Sequence, residues 1–158
     1  MYFFGGQVNA VENTNKLYTF NFATNEWALV EPNKQDTAPS VDSHCALLWE
    51  QGEGKASMIV VGGFLGGKDG GYSNAVYEYD FEQNRWTTLF KNQEVDVTKE
   101  NSTVPTGRTG LGAAIYKDCV YIFGGNEGNT KLNDLWKFDL KEKKWSPIKT
   151  ENQTLPEV

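Results

Sequence analysis

The chain has 158 residues, of which 39% are apolar and 13% aromatic, with 16 Gly and five Pro, a composition suited to many short strands joined by tight turns. Its net charge of −6 works against phosphate backbones and anionic lipid surfaces, so neither nucleic acid nor membrane is expected as a partner. No stretch approaches the roughly 20 apolar residues of a membrane span. The start, Met-Tyr-Phe-Phe-Gly-Gly, has no basic region and too short an apolar run for a signal peptide, so a cytoplasmic location is expected.

In chain order, the first element is the apolar run Tyr2–Gly6, followed by a polar stretch and the phrase Asn15–Trp27. The same sequence of events recurs at Met58–Gly63 with Asn74–Trp86, and at Val120–Gly125 with Asn133–Trp145. Trp27, Trp86 and Trp145 stand 59 residues apart, and self-similarity at a fixed period points to a repeat architecture. The third repeat reads most cleanly. Leu111–Tyr116 is a short apolar strand and Lys117-Asp118 a turn. Val120–Phe123 is a strand buried on both faces, and Gly124-Gly125 ends it where the backbone must turn or approach a neighbour closely. Asn126–Lys131 is expected to be a polar loop. In the strand Leu135–Leu140, Leu135, Lys137 and Asp139 share one face and Trp136, Phe138 and Leu140 the other. The turn Lys141–Lys144 leads to a fourth strand, Trp145–Ile148. Helical periodicity is absent, so almost no helix is expected. The recurring tryptophans are expected to fill the wedges between neighbouring sheets.

Four antiparallel strands in a meander form one blade of a propeller. The run of hydrophobic residues, Gly-Gly, a spaced Tyr and then Trp resembles kelch repeats. It is carried by Gly5, Gly6, Tyr18 and Trp27; by Gly62, Gly63, Tyr77 and Trp86; and by Gly124, Gly125, Trp136 in place of Tyr, and Trp145. The start of the first strand in that family is often Pro-x-x-Arg-x-x-His. Pro105 to Leu111 keeps the Arg and replaces the His, whereas Val41 to His44 keeps the His and replaces the Arg. The resemblance implies an all-β fold of kelch-type propeller blades, incomplete in this chain. Residues 1–30 would be a partial blade (strands two to four), 41–90 and 107–149 full blades, and 150–158 a linker to a further blade. Such propellers close with about five to seven blades of ~50 residues. The remaining blades would come from the same parent chain or a partner chain.

The resemblance also implies a protein–protein interaction module that recruits its partner through loops between strands two and three and between blades. Candidate partner-binding residues are Arg108, Lys68, Asp69, Tyr72, Asn126, Glu127 and Asn129. Arg108, one of two arginines, stands at the mouth of an inner strand. It suits either a bidentate contact with a partner carboxylate or a brace to backbone carbonyls. The long polar insert Lys91–Thr106 is a further place for contacts. The Gly-rich stretch Leu65–Tyr72 lacks phosphate-loop spacing and reads as a turn. His44, the sole histidine, is expected to be a hydrogen-bonded core or channel residue. Cys45 and Cys119 read as free thiols, with a disulfide or metal pair as the alternative. The sequons at Asn101 and Asn152 read as chance Asn-rich loops.

Some kelch-like propellers are copper or iron enzymes, or epimerases. One His and no cluster at metal-ligand spacing argue against such a site, and no nucleophile has an adjacent base. No catalysis, metal or cofactor is therefore expected. The alternatives are part of a kelch-type enzyme, or a regulatory domain of a larger enzyme, with catalytic residues outside this chain. A structural spacer docking through bare blade faces is a third possibility.

Overall fold

The computed structural model describes residues 1–33, 38–66, 70–96 and 102–149. These form fourteen strands and no helix. They are β1 (Tyr2–Phe4), β2 (Leu17–Asn21), β3 (Glu26–Val30), β4 (Val41–Asp42), β5 (Cys45–Gly52), β6 (Lys55–Val61), β7 (Phe64–Leu65), β8 (Gly71–Tyr72), β9 (Val76–Asp80), β10 (Arg85–Phe90), β11 (Gly112–Tyr116), β12 (Cys119–Glu127), β13 (Thr130–Asp139) and β14 (Lys144–Ile148). Every pairing is antiparallel. The first sheet is β1-β2-β3, the second β5-β6-β9-β10 and the third β11-β12-β13-β14. A small sheet, β4-β7-β8, rides on the second. The described residues are thus all-β, arranged in repeated antiparallel sheets as expected of propeller blades.

The 59-residue period is visible in the turns. The turns that follow β2, β9 and β13 each place a residue at positive φ: Asn25, Asn84 and Lys143, at 57°, 50° and 55°. An Asn or Asp at the start of each turn accepts from the backbone. Asn21 takes Ala23 N–H, Asp80 takes Glu82 and Gln83 N–H, and Asp139 takes Lys141 and Glu142 N–H, all at 2.9–3.0 Å. These side-chain bonds hold the chain in a tight reversal that extended backbone alone would not favour.

Two cores lie between the sheets, one on either side of the second. Strand alternation divides β6 between them. Met58 and Val60 join Phe4, Leu17, Tyr79 and Trp86 against the first blade, while Ile59 and Val61 join Val120, Ile122, Phe138 and Trp145 of the third. An aromatic pair within each blade repeats almost unchanged, with ring centroids 4.9 Å apart for Phe20 and Trp27, 5.1 Å for Tyr79 and Trp86, and 5.0 Å for Phe138 and Trp145.

Burial does not repeat so evenly. Trp86 is 2% exposed, with the Phe4 ring of the preceding blade 4.5 Å away, and Trp145 is 1% exposed. Trp27 is 58% exposed, contrary to the wedge role expected for all three. This position faces the preceding blade, and among the described residues no blade precedes the first.

Two further expectations are corrected. Asn126–Lys131 is not a loop: β12 runs to Glu127 and β13 starts at Thr130, so only Gly128-Asn129 turns. Gly124-Gly125 does not end its strand. The glycines sit at positive φ (62° and 95°) within β12, at a break in register with β13.

Candidate partner-binding face

The loops joining the second and third strands of the blades meet the inter-blade linkers at one end of the sheets. The meeting is ordered by backbone bonds that recur from blade to blade. Gly6 N–H donates to Val41 O, and Gly63 N–H to Arg108 O, each at 2.8 Å. In return, Val41 N–H donates to Thr14 O (3.3 Å) and Arg108 N–H to Ser73 O (3.1 Å). At Gly63 the close approach itself requires glycine, whereas a Cβ on Gly6 would meet open space and only its φ of 105° favours glycine there. A Cβ on Gly63 would lie 2.5 Å from Asp42 O, and its φ of 98° suits no other residue well. Between the first two blades, Asn13 Nδ2 donates to Phe64 O at 2.9 Å and Gly66 N–H to Ser40 O at 3.1 Å.

Asn74 anchors the loops of the second and third blades. Its Nδ2 donates to Gln93 O and Pro105 O, both at 2.9 Å; its Oδ1 accepts from Gln93 N–H at 3.1 Å; and its N–H donates to Asn92 Oδ1 at 2.9 Å. One buried carboxamide thereby holds both ends of the insert that links β10 to the third blade. Asn15, at the same point of the first repeat, donates to Ala38 O at 3.3 Å, so the arrangement is a property of the repeat. The sequence did carry this signal, since each thirteen-residue phrase opens with Asn.

Arg108 is only 1% exposed. Its guanidinium forms a fork with Asp134 (2.5 and 2.9 Å) and donates to Gly124 O (3.2 Å) and Thr106 O (3.1 Å). Asp134 also accepts from Trp136 Nε1 at 2.6 Å. Burial by itself would raise the Asp134 carboxyl, but the bonds from Arg108 and Trp136 outweigh it and hold the group below the usual carboxylate range. Of the two roles open to this arginine, the geometry displays the brace.

The other candidates divide into three sets. Tyr72 is half-buried, its ring edge-on to Phe64 with centroids 5.4 Å apart. Glu127 is half-buried, and Asn126 and Asn129 are exposed at the tip of the β12–β13 hairpin. Lys68 and Asp69 lie outside the described residues. Tyr72 and Glu127 line one cleft of about 400 Å³ together with Gly71, Asn92, Glu94 and Gly107. Residues Asn92 to Val95 of this cleft belong to the insert Lys91–Thr106, which the sequence marks as acidic and polar, with Glu94 among its acidic residues.

His44 is not hydrogen-bonded through Nδ1, which is buried without a partner. The ring lies edge-on to Phe4 (5.6 Å), and burial lowers its pKa against a weaker opposing pull from Asp42. Cys45 Sγ donates to Leu111 O at 3.1 Å, and burial pushes its thiol up; both cysteines are free. Among the described residues no three His, Cys, Asp or Glu side chains are grouped to hold a metal ion, and no helix is long and apolar enough to cross a membrane.

Repeated antiparallel sheets, double glycines that bond the next blade and a Trp stacked on a Phe or Tyr in each blade agree with the comparison with known families. Residues 1–158 match the KLHDC2/KLHL20/DRC7 Kelch-repeats domain. The chain belongs to the kelch-repeat family. Among its relatives, the leucine-zipper-like transcriptional regulator 1 homolog of Drosophila melanogaster is 27% identical over 153 residues, covering 94% of this chain and 14% of the relative. Tip elongation aberrant protein 3 of Schizosaccharomyces pombe is 25% identical, covering 95% of the chain and 15% of the relative. Kelch domain-containing protein 10 of Xenopus tropicalis is 28% identical over 156 residues, covering 94% and 34%. The kelch chain therefore spans about a third or less of each of these three relatives. Kelch-repeat domains are generally protein-interaction modules.

Proposed function

We propose that this kelch chain is a non-catalytic, cytoplasmic protein-interaction module that presents its loop face to a partner protein. The observation that carries the reading is the cross-braced cleft at that face, where loops of two blades are fixed by Asn74 and by the paired backbone bonds of Arg108. A rigid scaffold carrying shaped loops is what recognition needs, because less ordering entropy is lost on binding. The exposed face around Trp27 supports a second part of the reading: the ring is completed by further blades of the parent polypeptide, packed as Phe4 packs on Trp86.

The test is site-specific photocrosslinking in a lysate of the native cells. A benzoylphenylalanine at Tyr72 should capture a discrete partner protein. The same group at Tyr116, exposed at the opposite end of the third blade, should not. Equal capture from both positions, or capture only from Tyr116, would remove the loop face as the recognition surface.

A further inference from the structure

We infer that the cleft between the second and third blades seats a cationic side chain, a lysine or arginine on an extended segment of the protein partner. This deepens the interaction-module reading and rests on it. The cleft is walled by Gly71, Tyr72, Asn92, Glu94, Gly107 and Glu127, and its volume of about 400 Å³ is at the small end of the roughly 300–1,000 Å³ range of ligand pockets.

Its walls are fixed before any partner arrives. Asn74 holds the Asn92-Gln93 wall by three hydrogen bonds. Gly107 lies flat against the other wall: a Cβ there would stand 2.1 Å from Tyr72 O, so the backbone itself forms the floor. Phe64 supports the Tyr72 ring edge-on, leaving an aromatic surface at the cleft suited to a cation.

Among the described residues that line the cleft, charged side chains are of one sign. Glu94 and Glu127 are the acidic side chains that line it, and neither carboxylate has a hydrogen-bond or ion-pair partner among the described residues. The three aspartates of the third blade are already engaged. Asp118 meets Lys141 and the Trp49 indole, Asp134 meets Arg108, and Asp139 caps its turn. Arg108, adjacent to the floor in sequence, is committed to Asp134 and two carbonyls and offers no countercharge. An anionic segment would bring like charge against two carboxylates in a concave site. A cationic one would meet both carboxylates and the Tyr72 ring.

Two probes decide the matter by amide chemical-shift titration of this chain: the capped peptides Gly-Arg-Gly-Lys-Gly and Gly-Glu-Gly-Asp-Gly. The basic peptide should shift the amides of Gly71, Tyr72, Gly107 and Glu127 in a saturable, salt-sensitive way, and the acidic peptide should not. The Glu94→Gln, Glu127→Gln double variant leaves every hydrogen bond described above in place, and its own spectrum reports that it is folded. In it the apparent affinity for the basic peptide should fall at least about fivefold, the loss expected from weakened charge pairing at a partly exposed site. Equal shifts from both peptides, shifts confined to other surfaces, unchanged affinity in the double variant, or no shift at millimolar peptide would each overturn the inference. Partner capture from Tyr72 alongside any of those results would leave the interaction module standing and remove only the cationic specificity. Loss of Tyr72 capture as well would remove both.

Discussion

Replacing Trp86 and Trp27 separately by Ala measures what a neighbouring blade is worth. The two indoles hold the same place in the repeat and stack on equivalent rings, at 5.1 Å on Tyr79 and 4.9 Å on Phe20. They differ in what lies beyond. Trp86 also packs on Phe4 at 4.5 Å and is almost wholly buried, whereas more than half of the Trp27 surface meets solvent. A buried indole removes roughly 150–250 Å² from water, so at about 25 cal/mol per Å² the upper bound for Trp86 is about 4–6 kcal/mol. Allowing for partial collapse of the cavity, Trp86→Ala should cost about 3–5 kcal/mol. Scaled to the fraction it buries, Trp27→Ala should cost about 1–2 kcal/mol. Urea unfolding followed by far-ultraviolet circular dichroism reads both values from shifts in midpoint at constant slope. Equal costs for the two variants, or a cost below about 1 kcal/mol for Trp86, would refute the account of inter-blade packing.

Arg108→Ala should destabilise the chain by about 2–3 kcal/mol in the same assay. It leaves Gly124 O without this donor and the half-buried Asp134 carboxylate with the Trp136 indole N–H but no countercharge, and the usual penalty for a broken buried pair is discounted because the Asp134 side chain is 41% exposed. Arg108→Lys should recover only part of that loss, since an ammonium cannot reproduce the two-pronged contact. His44 gives a pH dependence of defined sign. Its folded pKa lies below the ordinary 6.5, so the unfolded chain binds the proton first and stability falls as pH drops through 6.5, levelling off below the folded value. His44→Phe should flatten this part of the stability–pH curve, and an unchanged slope would show that His44 is not its source.

The repeat made the blades legible because each signature residue has the same packing duty three times over, and a period of 59 survives differences in the intervening loops. The alternation of β13 was equally legible: Trp136 and Phe138 are buried and Leu135, Lys137 and Asp139 half-buried, as two-residue periodicity requires. What sequence could not supply was the state of a neighbour. Nothing local in Asn15–Trp27 distinguishes an indole covered by another blade from one that faces water. The hairpin at Gly128-Asn129 was hidden for a related reason. Its strands are polar and lie beyond the double glycine, so they carry no apolar alternation to betray them. Asp134 escaped notice because its importance comes from Arg108, 26 positions away.

The proposed recognition site and the contacts that hold the blades together share a few residues. Arg108 bonds through its backbone to Ser73 and Gly63 of the second blade and through its side chain to Asp134 and Gly124 of the third. Asn74 of the second blade holds the insert that delivers the chain into the third. The cleft they frame has one wall on each blade, with Tyr72 on one side and Glu127 on the other. A partner segment seated there must touch both, so it favours the arrangement in which the blades are packed over any in which they part. On the proposed function, binding at the loop face would therefore be coupled to the core between these two blades without any moving part. That coupling would follow from a site placed across a blade boundary, where buried polar contacts add to the apolar core between the blades.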